Sequence, residues 1–358
     1  MKIHFCFVTM VIYLLLLIAG TACGEDPPLF KTYQPTGIER TTWRFEIDND
    51  VLFDKDNQIS SGWSLQKHSA VAKSWEDLED LPKFIRQWGA ALPTLTDEGL
   101  RYRAGIAVGQ IIQTPDDDSR RDLNKDDVPY AGALTAQASW YAFNDDEFRG
   151  FELTLGVVGS PSLAEQTQKL AHTITGNDEP KGWDHQLKTE PVLNLNYMRK
   201  QKVWRRGNPA DWAADVSVDG HAGIGNMFTQ ASVALECRWG YNMPRGFASV
   251  PDPIGLSIHY IAALTPANPQ AGSFYATLVL SGSAVVHNIF LDGNTFRDSH
   301  SVDKEPLVGL AVAGLHYERE NWGIHFNVVA STDDVDTDDA PDAEGHERLG
   351  SITVEWRF

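Results

Sequence analysis

Along this chain, apolar and polar residues alternate with a period of two in stretch after stretch. In the closing stretch Ile352, Val354, Trp356 and Phe358 fall on one side, and Thr353, Glu355 and Arg357 on the other. That is the pattern of a strand with one apolar face. Trp43, Phe45 and Ile47 alternate with Arg44, Glu46 and Asp48 in the same way, as do Phe151, Leu153, Leu155 and Val157 with Glu152, Thr154 and Gly156. Leu134 to Trp140, Phe274 to Leu280 and Trp322 to Val328 repeat the theme. Separated by Gly, Pro, Asn and Asp clusters, such stretches number roughly a dozen, an even count that suits a single closed antiparallel sheet. A soluble sandwich or lipocalin-like barrel alternates too, but with its apolar face inside. The terminal Phe358 and the 11 Trp residues favour the inverted arrangement, an all-β transmembrane barrel of about 12 strands.

Two segments break the alternation. Ser160 to Gly176 reads as a short helix, with Ser160-Pro161 as its start and Gly176 as its stop. Leu163, Leu170 and Ile174 mark one face of it, and His172 lies near its C-terminal end. Ser331 to Glu347 holds T-D-D-V-D-T-D-D-A-P-D-A-E, which reads as a solvated acidic loop rather than a second metal site.

The first 24 residues have the layout of a secretory signal peptide: Lys2, an apolar core from Phe5 to Ala19, and the small exit Ala22-Cys23-Gly24. A retained anchor and a lipoprotein cleavage before Cys23 are weaker readings, the second because Gly20 stands where a leucine is wanted. Residues 25–40 then form a leader and 41–358 the barrel. Loss of the segment takes the net charge from −19 to −20, which argues against a nucleic-acid partner. It also removes Cys6 and Cys23, leaving Cys237 without an intramolecular disulfide partner. No later run of roughly 18 apolar residues offers a helical span. No obligate protein partner is implied.

Familiar hydrolase signatures are missing: there is no G-x-S-x-G, no Cys-His pair and no H-E-x-x-H. Instead, Asn49 and Asp50 stand where the first amphipathic stretch ends, and Ser60-Ser61-Gly62 opens the next. Each alone reads as an ordinary turn. Asn49 shares the parity of Trp43, Phe45 and Ile47, so it carries a polar group on the apolar face.

Five segments in order carry a resemblance: E-I-D-N-D-V-L-F (from Glu46), D-N-Q-I-S-S-G (from Asp56), V-G-Q-I-I-Q-T-P (from Val108), D-D-V-P-Y-A-G (from Asp126) and H-T-I-T-G-N-D-E-P-K-G-W-D-H-Q-L-K-T-E-P (from His172). Together they resemble the outer-membrane lipid A 3′-O-deacylase family, from about residue 40 to Phe358. The resemblance implies a barrel in the Gram-negative outer membrane. It implies calcium-dependent removal of the 3′-linked acyloxyacyl chain of lipid A, at a site between the outer barrel wall and the extracellular helix. On matching positions it makes His172 the general base and Asp50 the calcium anchor, with Asn49 and Ser60 positioning ion, water or substrate. Arg120 and Arg121, with Lys169, would meet the glucosamine phosphates of lipopolysaccharide. The chain departs from the family pattern at Ile59-Ser60, often Tyr-Thr, and at Pro180, where members can carry tyrosine. A barrel phospholipase and a non-catalytic porin or scaffold are the rival readings.

Overall fold

The computed structural model describes residues 40–50, 59–176, 178–248 and 258–358, with Ile59 and Ser60 described by backbone alone. The expected signal peptide and most of the leader lie outside the described residues. Twelve strands close into one antiparallel barrel: β1 (Thr42–Asn49), β2 (Ile59–His68), β3 (Arg101–Gln113), β4 (Ala131–Phe143), β5 (Glu147–Val158), β6 (Glu190–Gly207), β7 (Trp212–Gly225), β8 (Phe228–Tyr241), β11 (Ser273–Asn288), β12 (Leu307–Glu318), β13 (Trp322–Asp333) and β14 (His346–Arg357). β1 pairs with β14 to complete the circle, so among the described residues the barrel leaves no edge strand. A separate two-stranded hairpin, β9 (Arg245–Phe247) with β10 (Ala262–Leu264), lies between β8 and β11.

The alternation resolves as the inverted pattern. Trp43, Ile47, Leu278, Ile324, Ile352 and Trp356 are exposed on the outside, whereas Glu46, Glu152, Glu236, Arg238 and Glu355 are buried inside. An apolar exterior is stable only against lipid, and the buried charges inside require partners. They have them. Arg238 forks onto Asp215, its Nε to Oδ1 at 2.8 Å and a terminal nitrogen to Oδ2. Lys200 bonds Glu236 at 2.7 Å, and His325 lies 3.3 Å from Glu355.

Three connections at the end bearing the C-terminus are tight, between β4 and β5, β6 and β7, and β12 and β13. Short turns mark the periplasmic end of such barrels. Two longer periplasmic segments do other work. The one after β8, with its hairpin, enters the barrel, where Phe247, Ile258, Tyr260 and Leu264 pack on Tyr141, Phe143 and Phe148. The one after β2 carries α1 (Lys83–Ala91) and packs outside the wall through Trp75, Ile85 and Leu95 against Tyr102 and Trp140. At the extracellular end, α3 (Ile289–Asp292) drops Ile289 and Phe290 into the interior against Ile111, Ala133, Phe228 and Val312. The acidic segment before β14 is not a free loop. Val335, Ala340 and Ala343 pack on Val128, Leu291 and Val302, and the Asp342 and Glu344 amides donate to the Asp126 carbonyl and Asp116 carboxylate. Segments thus enter the interior from both ends, with a cavity left between Tyr260 and Phe290.

Candidate functional site

The sequence between β5 and β6 builds a ledge on the outer wall. After Gly159, whose φ of 92° suits glycine, a 3-10 turn covers Ser160–Ser162, and α2 runs Ala164–Thr175. The helix expected from Ser160 is therefore broken at Leu163, which takes the left-handed conformation (φ 60°). The break lays Ser162 and Ala164 flat on Gly132 of β4: a Cβ there would sit 2.1 Å from the Ala164 Cβ. Gly176 closes the helix at φ 81°, its amide donating to the His172 carbonyl at 2.8 Å.

The faces of α2 sort by chemistry. Ala164 and Gln168 are buried, and His172 continues their i, i+4, i+8 stripe toward the wall, partly exposed. Leu163, Leu170 and Ile174 lie on the far side, exposed. In a barrel whose exterior meets lipid, that apolar face belongs to the outer leaflet. The underside is tied down by Gln110 of β3, whose amide donates to the Ser162 carbonyl at 2.6 Å while its oxygen accepts from Trp63 Nε1 at 3.0 Å. Trp183 Nε1 donates to Gln168 at 2.9 Å, and Ile112, Tyr130, Ala164 and Trp183 form a small core beneath the helix.

The strand register places the N-terminal candidates on the same wall. Asn49 pairs with Ser61, Ser61 with Ile112, and Ile112 with Gly132, one row across β1 to β4 at the level where the ledge begins. Asn49 is half-buried on the outward parity, and Asp50, the next residue, is 1% exposed. The register slips between Ile59 and Ser61, so Ser60 occupies a bulge, a device that re-aims side chains beside functional sites. The Ser60 side chain itself lies outside the description.

His172 Nδ1 bonds the Asp178 carbonyl. A carbonyl oxygen only accepts, so Nδ1 carries the proton and the neutral ring keeps its lone pair on Nε2. Beside the helix, a cleft of about 430 Å³ is lined by the bases Arg121, Lys169 and Lys181, by the acids Glu165, Asp178, Glu179 and Asp184, and by Pro180 and Trp183. Lys169 donates to Glu165 at 2.7 Å, and that bond raises the Lys169 pKa. Arg121 and Lys169 are thus brought together; Arg120 instead lies 3.8 Å from Asp342, on the acidic cap. Pro180 is buried in the same cleft.

Asp50 and Asn49 are oxygen donors of the kind calcium takes, two of the roughly six to eight it needs. The adjoining residues 51–58 lie outside the described residues. Among the described residues no group of three or more His, Cys, Asp or Glu side chains is arranged to hold a metal. Gln110, Lys181 and Gln168 were not singled out in the sequence. Gln110 was findable, being a polar residue on the lipid-facing parity of Ile106, Val108 and Ile112.

A closed twelve-stranded barrel, apolar outside and polar within, with a helical ledge on its wall, defines an outer-membrane β-barrel protein. Residues 7–358 match the family described as "Outer membrane protein LpxR", and the chain belongs to it. Among solved structures it is similar to LpxR from Salmonella typhimurium, with a TM-score of 0.69 and 13% identity over 88% of this chain and 100% of that one. It also matches the beta domain of the Bordetella autotransporter BrkA, at a TM-score of 0.43 and 10% identity, covering 89% of this chain and 100% of that one. No curated protein matches it in sequence.

Proposed function

We propose that the protein is an ester hydrolase that removes the 3′-linked acyloxyacyl chain from lipid A in the outer leaflet. The observation carrying this reading is the direction of the His172 stripe, toward the wall whose outward row begins at Asn49. The family and the barrel's apolar exterior support the location, because a lipid ester lies at the hydrocarbon boundary and must be met from outside the wall.

In the proposed reaction, His172 Nε2 takes a proton from water as the oxygen attacks the ester carbonyl. The Asp178 carbonyl holds the ring in the required tautomer and stabilises the imidazolium that forms. The C–O bond to the sugar then breaks, and the sugar oxygen recovers the proton from His172. The products are the carboxylic acid and the free 3′-hydroxyl. Asn49 offers an amide at the wall for the water or the carbonyl, and the Ser60 bulge faces the same level. A calcium ion anchored by Asp50 would supply charge where the carbonyl oxygen becomes negative. Arg121, with Lys169 and Lys181, would take a sugar phosphate in the cleft.

Fatty-acid release from purified lipopolysaccharide, compared with release from phosphatidylethanolamine, tests the reading. Release from lipopolysaccharide alone is the expected result. Release from the phospholipid alone would make the protein a phospholipase, and release from neither would sink the hydrolase reading.

A further inference from the structure

At the opposite end of the same wall, α1 covers lipid-facing residues of the barrel. Tyr102 and Ala104 of β3, and Trp140 and Ala142 of β4, all on the outward parity, are buried under the segment that carries α1. The contact is built: Trp140 Nε1 donates to the Ile85 carbonyl at 2.9 Å, Trp75 Nε1 to the Leu95 carbonyl at 3.0 Å, and Gly89 lies flush against the Trp75 ring. Yet α1 leaves two large aromatics half in the open, although Trp88 also leans on the Trp140 ring with centroids 5.8 Å apart. Phe84 is 54% exposed and Trp88 51%, with ring centroids 6.0 Å apart. The bare belt of β3 resumes directly beyond, at the exposed Ile106 and Val108. The exposed aromatics therefore continue the surface that lipid already wets.

We propose that α1 lies in the plane of the periplasmic leaflet, with Phe84 and Trp88 among phospholipid acyl chains at the headgroup boundary. A short helix with one face on protein and an aromatic face outward fits that interface, where aromatic rings partition. Lys83 and Arg86 on the same helix are outnumbered by Glu76, Asp77, Glu79 and Asp80 just before it, so the contact rests on the aromatic rings rather than on anionic headgroups. The belt on this side is consequently short. On β3 it is bare only between Ala104 and Gln110, whereas on β11 it runs from Phe274 to Val286. The foot at one end and the ledge of α2 at the other make up the missing height with their own apolar faces. The foot thereby fixes the depth and tilt of the wall that bears the candidate site. This holds whether or not the protein is a hydrolase.

The test is a fluorophore on a cysteine at position 84 (Phe84→Cys), in a chain with Cys6, Cys23 and Cys237 replaced by Ser, purified from outer membranes. A second labelled variant, Trp88→Cys, serves if the first does not fold, and Glu79→Cys is the aqueous control. In phosphatidylethanolamine–phosphatidylglycerol vesicles, a nitroxide on the lipid acyl chain should lower emission at 84 or 88 at least about twofold, and leave position 79 nearly unchanged. Iodide should do the reverse. Equal iodide quenching at 84 and 79 would overturn the proposal. So would protection from both quenchers, which would mean that protein rather than lipid covers α1.

Discussion

The sharpest handle on the ledge is Gly132. A methyl group there would lie 2.1 Å from the Ala164 Cβ and 2.5 Å from Ser162 Oγ, where ordinary contact is 3.4–4 Å. To relieve it, α2 must lift from the wall by about 1.3–1.9 Å, since β4 is held on both sides by its ladders and cannot recede. His172 rides on that helix. A misplacement of about 1 Å at a reacting group costs on the order of 10²-fold in rate, so Gly132→Ala should lose at least that much acyl release while keeping a folded barrel. Folding is read by heat-modifiable migration on gels, and activity by mass spectrometry of lipid A after incubation with purified protein. Gly220→Ala is the control, because the nearest atom to a Cβ there is 4.0 Å away; it should be neutral in both assays. If Gly132→Ala folds and keeps full activity, the position of α2 on the wall does not govern the chemistry and the site assignment fails.

Gln110→Leu removes the bonds to Ser162 and Trp63 and leaves the Ser162 carbonyl without that donor. It should cost about 1–3 kcal/mol of stability in denaturant titrations, and lower acyl release through the same ledge. Burial pushes the Asp292 carboxyl up, but His287 at 3.1 Å and Lys304 at 2.6 Å outweigh it and pull its pKa down to about 2. A carboxyl depressed on folding stabilises above its unfolded pKa, 3.8, and that contribution is lost as pH falls toward about 2. Asp292→Asn should therefore destabilise the extracellular cap by about 1 kcal/mol at pH 7, discounted for partial exposure, and by nothing near pH 2, as read by limited proteolysis of the 289–306 loop. Chelation with EGTA should abolish acyl release, with recovery on adding calcium. Undiminished activity in EGTA would remove the ion from the mechanism.

The barrel was legible in the sequence because each strand faces two solvents. Lipid outside and a polar lumen inside force a period-two pattern strong enough to read at Trp43 to Asp48 or Ile352 to Phe358. What fills the lumen was not legible. Phe247, Tyr260, Ile289 and Phe290 come from connections without periodicity, and their burial depends on a closed cylinder that no local pattern reveals. The acidic stretch before β14 misled for the same reason: its charges dominate composition, while Val335, Ala340 and Ala343 decide its packing. At the candidate site, His172 and Asn49 were identifiable from motif and parity. The tautomer set by Asp178 depends on a contact six residues along the chain, and the break at Leu163 with the seat at Gly132 on contacts between segments about thirty residues apart, none of which a period-two pattern records. The α1 foot had a weak signal in Phe84, Ile85 and Trp88, overshadowed by the strands around it.

Mass spectrometry of lipid A after incubation with the purified protein, and with its His172→Gln variant, decides whether His172 drives deacylation. A mass loss equal to the 3′-acyloxyacyl chain is expected with the first and intact lipid A with the second, both proteins migrating as folded barrels. Unchanged lipid A with the native protein, or equal deacylation by the variant, would contradict that role.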